Sequence, residues 1–155
     1  NSLLRRPLRE ITMTAIRAAT HADAEELAKL SGQLGYPADA VSVLRRLDGV
    51  AAHHAGVVLV AVDAQGALSG FAHVEPRNLL IAEPFAELAA LVVSENVRGK
   101  RVGSALLGAA EAWAREQGFA SMRVRPNILR EHAHRFYLRE GYTEKKRQAV
   151  FLKRF

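Results

Sequence analysis

A short basic turn with two glycines is the first feature of this sequence that could bind a ligand. The turn consists, in order, of Arg98, Gly99, Lys100, Arg101, Val102, Gly103 and Ser104. Glycine lets a backbone approach an anion closely, and the unpaired N–H groups at a helix start attract negative charge. With three cationic side chains beside these groups, the turn suits a polyphosphate. Its spacing matches neither the phosphate-loop nor the dinucleotide fingerprint, and a solvated basic turn is the alternative interpretation.

Histidine pairs are the residues that could ligate a metal ion. His53 and His54 are adjacent before an apolar segment, and His132 and His134 are two positions apart in a helical one. Residues at i and i+2 do not share a helix face, and no HExxH pattern occurs. The sequence therefore predicts no metal site.

The composition excludes several classes of protein. The chain has 155 residues, no cysteine, and 22 Lys plus Arg against 16 Asp plus Glu, a net charge of +6. At 49% hydrophobic and 25% charged residues it is typical of a globular protein. The missing cysteines exclude a thiolate nucleophile, a disulfide scaffold and a cysteine-based zinc site, and they favour the reducing cytoplasm. No apolar run approaches the roughly 18 residues of a membrane span.

One domain is expected at this length. Residues 1–12 are rich in arginine and precede Met13, which begins a domain-like segment. We interpret residues 1–12 as an N-terminal extension or tag remnant and residues 13–155 as the single domain.

Hydrophobic periodicity predicts the elements that must position these residues. Helices are expected in the segments after Thr20 and after Pro37, and over residues 101–117 and 130–140. Strands are expected over residues 14–18, 56–63, 67–75, 85–93 and 119–125, with one or two more over 142–153, and residues 76–84 are expected to be a loop. A strand–helix–strand crossover in the second half requires a parallel pair, and the hairpin in the first half requires antiparallel pairing. We therefore predict an α/β fold with a mixed sheet and helices on both faces.

The basic turn and its flanks resemble a known family. LVVSENVRGKRVGSALLGAAEAWAREQG is similar to the acetyl-CoA-binding segment of the GCN5-related N-acetyltransferase (GNAT) superfamily. The family signature is Arg or Gln, two residues, Gly, one residue, then Gly or Ala, which places Arg98, Arg101 and Gly103 on its positions. Arg101 departs from the family, which usually has glycine there. An arginine fits if this position needs no positive φ.

A second resemblance covers the C-terminal part of the chain. Asn127, the helical segment with Phe136 and Tyr137, and then Gly141 and Tyr142 are similar to the C-terminal motif of the same family. Both matches occur in the family's order and spacing, so the resemblance extends over about residues 13–153. It implies a mostly antiparallel sheet whose middle strands splay apart.

The resemblance implies that acetyl-CoA is the co-substrate. In the family, the pantetheine arm lies between the splayed strands and pairs with strand backbone, which here corresponds to Leu91, Val92 and Val93. The pyrophosphate would lie on the amides from Arg98 through Ser104, and Asn127 matches a position that often contacts the cofactor arm.

The resemblance also implies the reaction, direct attack of an amine on the thioester in a ternary complex. The absence of cysteine agrees, since no cysteine acyl-enzyme can form. Tyr137 matches the usual general acid, and a phenol of pKa near 10 can protonate a thiolate whose conjugate acid has a pKa near 8–9. Glu87 is the first candidate for the general base, with Glu75, His73 and water chains as alternatives. Each of these side chains could instead be an ordinary core-edge or surface residue.

The acceptor is expected to be a small-molecule or protein amine. Glu75, Glu83 and Glu87 lie near the expected acceptor side and favour a cationic amine. Family members are often dimers, so a homodimer is among the expected assemblies, whereas no nucleic acid or membrane partner is expected.

Two other functions remain open at this point. Arg101 allows a non-catalytic acetyl-CoA-binding domain. The basic residues 98–101 and 145–147 allow a nucleic-acid-binding module, although no aromatic residues are interleaved with them.

Overall fold

The computed structural model describes residues 14–52, 56–97, 101–126 and 131–155. They form two compact units, of which the first ends at Val124 and the second begins at Arg125. The helices of the first unit are α1 (Ala24–Gln33), α2 (Ala40–Ala52) and α3 (Val102–Glu116). Its strands are β1 (Ala15–Ala18), β2 (Val57–Val62), β3 (Leu68–Arg77), β4 (Phe85–Val93) and β5 (Met122–Val124). The second unit contains α4 (Glu131–Arg139).

The five strands form one sheet in the order β1-β2-β3-β4-β5. The pairs from β1 to β4 are antiparallel, and the β4–β5 pair is parallel. The single parallel pair follows from α3, which carries the chain from the end of β4 to the start of β5. The mixed, mostly antiparallel sheet confirms the predicted fold class.

One face of the sheet is covered by α1 and α2. Five buried residues form the core of this face: Leu27, Leu30, Val60, Leu68 and Val92. Leu27 and Leu30 lie three positions apart on α1, so they point to the same side of the helix. Val92 brings β4 into this core, which fixes the strand against α1.

The opposite face of the sheet packs against α3. Its buried side chains repeat with helical spacing: Val102, Leu106, Leu107, Ala110 and Ala114. Gly70 on β3 lets the helix come close, since a Cβ atom there would lie 2.9 Å from Cδ1 of Leu106 and 2.5 Å from the carbonyl oxygen of Val92. The close packing places the start of α3 beside the C-terminal half of β4.

The strand β3 extends two residues beyond its predicted end. Pro76 was expected to open a loop, but it pairs with Ala86, and Arg77 pairs with Phe85. The N–H of Ala86 donates to the carbonyl of Ser121, on the β5 side, so Ala86 and Pro76 are not joined by backbone hydrogen bonds. The N–H that proline lacks is therefore not needed toward β4. On its other side, the described part of β2 begins at Val57, which pairs with Val74, and no described residue pairs with Pro76 there.

The strands predicted over residues 142–153 are wrong. The structure describes this segment throughout and has no strand in it. Four consecutive charged residues, Glu144, Lys145, Lys146 and Arg147, favour hydration over burial. Val150 and Phe151 are 89% and 94% exposed and so gain nothing from burial.

Candidate active site

The pairing of β5 with β4 ends after three residues. Only Ala86–Leu88 pair with Met122–Val124, whereas β3 follows β4 over its whole length. Within the described residues, the C-terminal half of β4 therefore has a strand on one side only. A β-bulge in β4 lies where the pairing with β5 ends, because His73 pairs with Ala90 and Val74 with Leu88, so that Ala89 is an extra residue.

The backbone of β4 directs alternate amides into this opening. The N–H of Ser94 donates to the carbonyl of Ser69 at 2.8 Å, on the β3 side. Since backbone groups alternate along a strand, the amide of Val92 also faces β3, and the amides of Leu91 and Val93 face the opening. These two residues can therefore pair with an extended ligand, while Val92 contributes a buried side chain.

The start of α3 provides a second group of amides. Its first intrahelical hydrogen bond runs from the N–H of Ala105 to the carbonyl of Arg101, at 3.1 Å. The N–H groups of Val102, Gly103 and Ser104 precede that bond and lie at the positive end of the helix dipole. The other predicted members of the turn, Arg98, Gly99 and Lys100, lie outside the described residues.

Arg101 has a left-handed backbone conformation, with φ 60° and ψ 20°. It is the one non-glycine residue with positive φ among those that the structure describes. An arginine was expected to fit here only if the position needed no positive φ, and that condition is not met. The position needs the conformation that glycine adopts most readily, and Arg101 occupies it with strain.

Two of the predicted carboxylates lie together on β3 and β4. Glu75 and Glu87 are cross-strand partners, and Arg77 lies between them. Its Nη1 is 3.5 Å from Oε1 of Glu75 and 3.6 Å from Oε2 of Glu87. We call these three residues the charge cluster. The side chain of Glu87 is only 9% exposed, and Arg77 places a positive charge beside its carboxylate.

The third predicted carboxylate and the alternative base are not members of the charge cluster. Glu83 is exposed in the segment between β3 and β4, outside the charge cluster. His73 is half-buried and occupies the same face of β3 as Glu75, two residues earlier. The prediction of an acidic group at this end of the sheet therefore rests on Glu75 and Glu87 alone.

Arg77 and Arg123 were not among the site residues predicted from the sequence. Arg123 on β5 is the register partner of Glu87, and its guanidinium carbon lies 3.9 Å from the ring centroid of the buried Phe85. Polar residues alternate at His73, Glu75 and Arg77, and this pattern in the sequence was a signal that could have identified Arg77. The stacking of Arg123 on Phe85 depends on the pairing of β4 with β5, which periodicity alone does not provide.

In the second unit, Tyr137 lies on α4 within an aromatic group. Its ring centroid is 5.1 Å from that of Phe136 and 5.7 Å from that of Tyr142. The N–H of Tyr142 donates to the carbonyl of Tyr137 at 2.9 Å, where Gly141 ends the helix with φ 94°. Burial raises the pKa of Tyr137 to about 12, so the phenol keeps its proton at neutral pH. Asn127 lies outside the described residues.

Comparison with known proteins identifies the family. The sequence model of the Acetyltransferase (GNAT) family matches residues 20–142. The chain belongs to the GNAT acetyltransferase family. The resemblance carried by the basic turn and the C-terminal motif is thereby confirmed.

Two curated relatives of this GNAT chain act on different amines according to their names. Aminoglycoside N(6')-acetyltransferase type 1 from Stenotrophomonas maltophilia is 33% identical over 140 residues, 88% of this chain and 90% of that protein. Aminoalkylphosphonate N-acetyltransferase from Salmonella typhimurium is 48% identical over 58 residues, 37% of this chain and 38% of that protein.

Solved structures show the same fold. An aminoglycoside N-acetyltransferase in complex with CoA superposes with a TM-score of 0.83, at 18% identity, over 96% of this chain and 99% of that one. The glucosamine-6-phosphate N-acetyltransferase of Arabidopsis thaliana gives 0.78 at 17% identity, over 90% and 98% of the two chains.

Among the residues that the structure describes, no three His, Asp or Glu side chains are grouped so that they could hold a metal ion. None of the described helices combines the length and hydropathy needed to cross a bilayer.

Proposed function

We propose that the protein transfers the acetyl group of acetyl-CoA to a primary amine of a small molecule, by direct attack in a ternary complex. The observation that carries the proposal is the opening beside β4, into which the amides of Leu91 and Val93 point. The names of the two curated relatives support an amine acceptor, and the CoA complex of a protein with the same fold supports the donor.

The two groups of amides suit different parts of the donor. The pantetheine arm pairs with Leu91 and Val93 in the manner of an added strand, beside the buried Val92. The pyrophosphate lies on the N–H groups of Val102, Gly103 and Ser104, and Arg98, Gly99, Lys100, Arg101 and Asn127 complete the donor site. An amide of β4 also faces the thioester oxygen, where a single such donor contributes roughly 3 kcal/mol to the transition state.

The reaction needs one base and one acid. Glu87 accepts a proton from the ammonium form of the acceptor, and the neutral nitrogen then attacks the thioester carbonyl carbon. The carbon–sulfur bond breaks as the tetrahedral intermediate collapses, and the proton of Tyr137 goes to the departing thiolate. The surplus proton of the new amide nitrogen then returns to the Tyr137 phenolate, and Glu87 releases its proton to solvent. The products are an amide and CoA, and no cysteine takes part because the chain has none.

Steady-state release of CoA thiol tests the proposal. Because the protein contains no cysteine, a thiol reagent detects only the CoA that is formed. We expect amine-dependent thiol release from acetyl-CoA, with a product heavier than the amine by one acetyl group. Binding of acetyl-CoA without release in a broad amine panel would favour the non-catalytic binding domain instead. A cytoplasmic location and a homodimer stay predictions.

A further inference from the structure

We propose that the acceptor is a small zwitterion, whose ammonium group binds at the charge cluster and whose anionic group binds Arg123. The inference rests on the proposed function and specifies its substrate class. Carboxylate, phosphonate and phosphate groups share the chemistry that a guanidinium recognises.

The charge of the cluster argues against a polycationic acceptor. Glu75 and Glu87 contribute two negative charges, and Arg77 between them offsets one. The net charge of −1 matches one ammonium group. An acceptor with several ammonium groups would need further carboxylates, and Glu83, the third acidic residue expected near this site, lies outside the cluster.

Arg123 supplies the complementary positive charge at a defined distance. It is the register partner of Glu87, and neighbouring strands lie about 4.8 Å apart. A ligand that reaches both side chains therefore needs only a few bonds between its nitrogen and its anionic group. The placement of Arg123 beside Glu87 favours amino acids and aminoalkylphosphonates over long polyamines as acceptors.

Phe85 holds the guanidinium of Arg123 in place. The ring is 1% exposed, and the guanidinium carbon lies 3.9 Å from its centroid. Stacking uses one face of the planar group and leaves the N–H groups along its edge for a bidentate anion. Because the ring is fixed in the core, little further ordering of Arg123 is needed when an anion binds.

The exposed fractions of these side chains fit a ligand of this kind. Glu75 and Arg77 are 29% and 34% exposed, so a solute can reach them. Glu87 is 9% exposed, which suits a base that meets the ammonium group only after the ligand has displaced water. Arg123 is half-buried.

Amines with matched carbon skeletons test the substrate class. The probes are an aminoalkylphosphonate, the amino acid of the same length, the amino alcohol without the anion, and a linear polyamine. We expect kcat/KM for the better zwitterion to exceed that for the amino alcohol and the polyamine at least tenfold. Equal or higher values for the amino alcohol or the polyamine would overturn the inference and leave the proposed function intact. Without thiol release from any amine, the proposed function itself would fail.

Variants of Arg123 test the residue. We expect Arg123→Gln to lower the ratio of zwitterion to amino-alcohol kcat/KM about tenfold, and Arg123→Lys to lower it less because the charge remains. Arg115→Gln is the matched control. It removes the same charge from the last turn of α3 and should leave the ratio unchanged. An unchanged ratio in Arg123→Gln, with unaltered urea unfolding, would show that Arg123 only packs on Phe85.

Discussion

At the scale of single residues, the protonation of Tyr137 decides whether it can act as the acid. Burial raises its pKa from near 10 to about 12. A general acid works only while it holds its proton, so the activity loss that follows ionisation of this phenol shifts to higher pH. Tyr137 should therefore produce no alkaline decline in kcat near pH 10.

Removing the Tyr137 hydroxyl tests this role. We expect Tyr137→Phe to lower kcat by about 10²-fold or more, the usual contribution of general acid–base catalysis. The KM for acetyl-CoA should stay nearly constant, because the aromatic packing on Phe136 and Tyr142 remains. Initial rates over a range of acetyl-CoA concentrations measure both constants. A kcat equal to that of the wild type would remove Tyr137 from the mechanism.

Glu87 is tested by an isosteric change. Glu87→Gln keeps the shape of the side chain but cannot accept the proton of the ammonium group, so kcat/KM for the amine at neutral pH should fall about 10²-fold. Glu83→Gln, in the exposed segment between β3 and β4, is the matched control and should behave like the wild type. If raising the pH restores Glu87→Gln to the wild-type rate, proton removal is the function that Glu87 supplies, since solvent then deprotonates the acceptor. A deficit that persists at high pH would mean that Glu87 serves mainly to bind and orient the amine. A Glu87→Gln rate equal to that of the wild type at neutral pH would exclude Glu87 as the base.

Variants of Arg101 measure the free-energy cost of its left-handed backbone conformation. Arg101→Ala removes the charge but keeps a Cβ atom at φ 60°, whereas Arg101→Gly removes both. A left-handed conformation costs a side-chain-bearing residue about 1 kcal/mol relative to glycine. We therefore expect the glycine variant to have a free energy of unfolding about 1 kcal/mol above that of the alanine variant in urea titrations. Equal stabilities would show that the position relaxes in solution.

At the scale of elements, strands and helices with a strong pattern were predictable. The run of apolar residues in β4 predicts its bounds, Phe85 to Val93, as the structure has them. The helical spacing from Val102 to Trp113 predicts α3 to within a residue at each end. The C-terminal strands were not predictable, since local propensity does not show whether a pairing partner exists.

The site was predictable only in part. The resemblance implied the splayed strands, but the choice of Leu91 and Val93 over Val92 as ligands for an added strand needs the hydrogen-bond direction of Ser94. Arg77 was missed because Pro76 indicated a loop. Arg123 was missed because its contact with Phe85 joins two different strands, β5 and β4. Cross-strand contacts depend on register, which a single sequence does not specify.

The segment from β1 to α1 contains an ion pair whose strength depends on pH. Arg17 donates two hydrogen bonds to Asp23, at 2.8 and 2.9 Å, and the N–H of Thr20 donates a third at 2.8 Å. These bonds, that of Arg17 first, lower the pKa of the Asp23 carboxyl. The carboxylate therefore stabilises the fold above its unfolded pKa of about 4, and this contribution is lost as the pH falls through the lower folded-state pKa.

Asp23→Asn measures that contribution. We expect the free energy of unfolding at pH 7 to fall by about 2 kcal/mol, the usual size of a hydrogen bond to a charged group. The difference between variant and wild type should shrink below about pH 4. Urea titrations at several pH values provide the comparison. A difference that does not change between pH 7 and pH 3 would mean that the charge of Asp23 contributes nothing.

At the scale of the whole molecule, the charge of +6 is unevenly placed. Three basic residues, Arg98, Lys100 and Arg101, directly precede α3 in the sequence, where the cofactor phosphates are proposed to bind. At the end of the sheet where β3 meets β4, the two carboxylates of the charge cluster are balanced by Arg77 and Arg123. The basic charge at the proposed donor site and the balanced charge at the proposed acceptor site fit a polyanionic coenzyme and a small zwitterion.

The central claim is that acetyl-CoA binds along the open edge of β4, and amide hydrogen exchange measured residue by residue tests it most directly. We predict that saturating acetyl-CoA slows exchange at Leu91 and Val93, which face the opening, and changes Val92 little because its amide already faces β3. The same slowing is expected at Val102 and Gly103. Unchanged exchange at Leu91 and Val93 with acetyl-CoA bound would contradict the account.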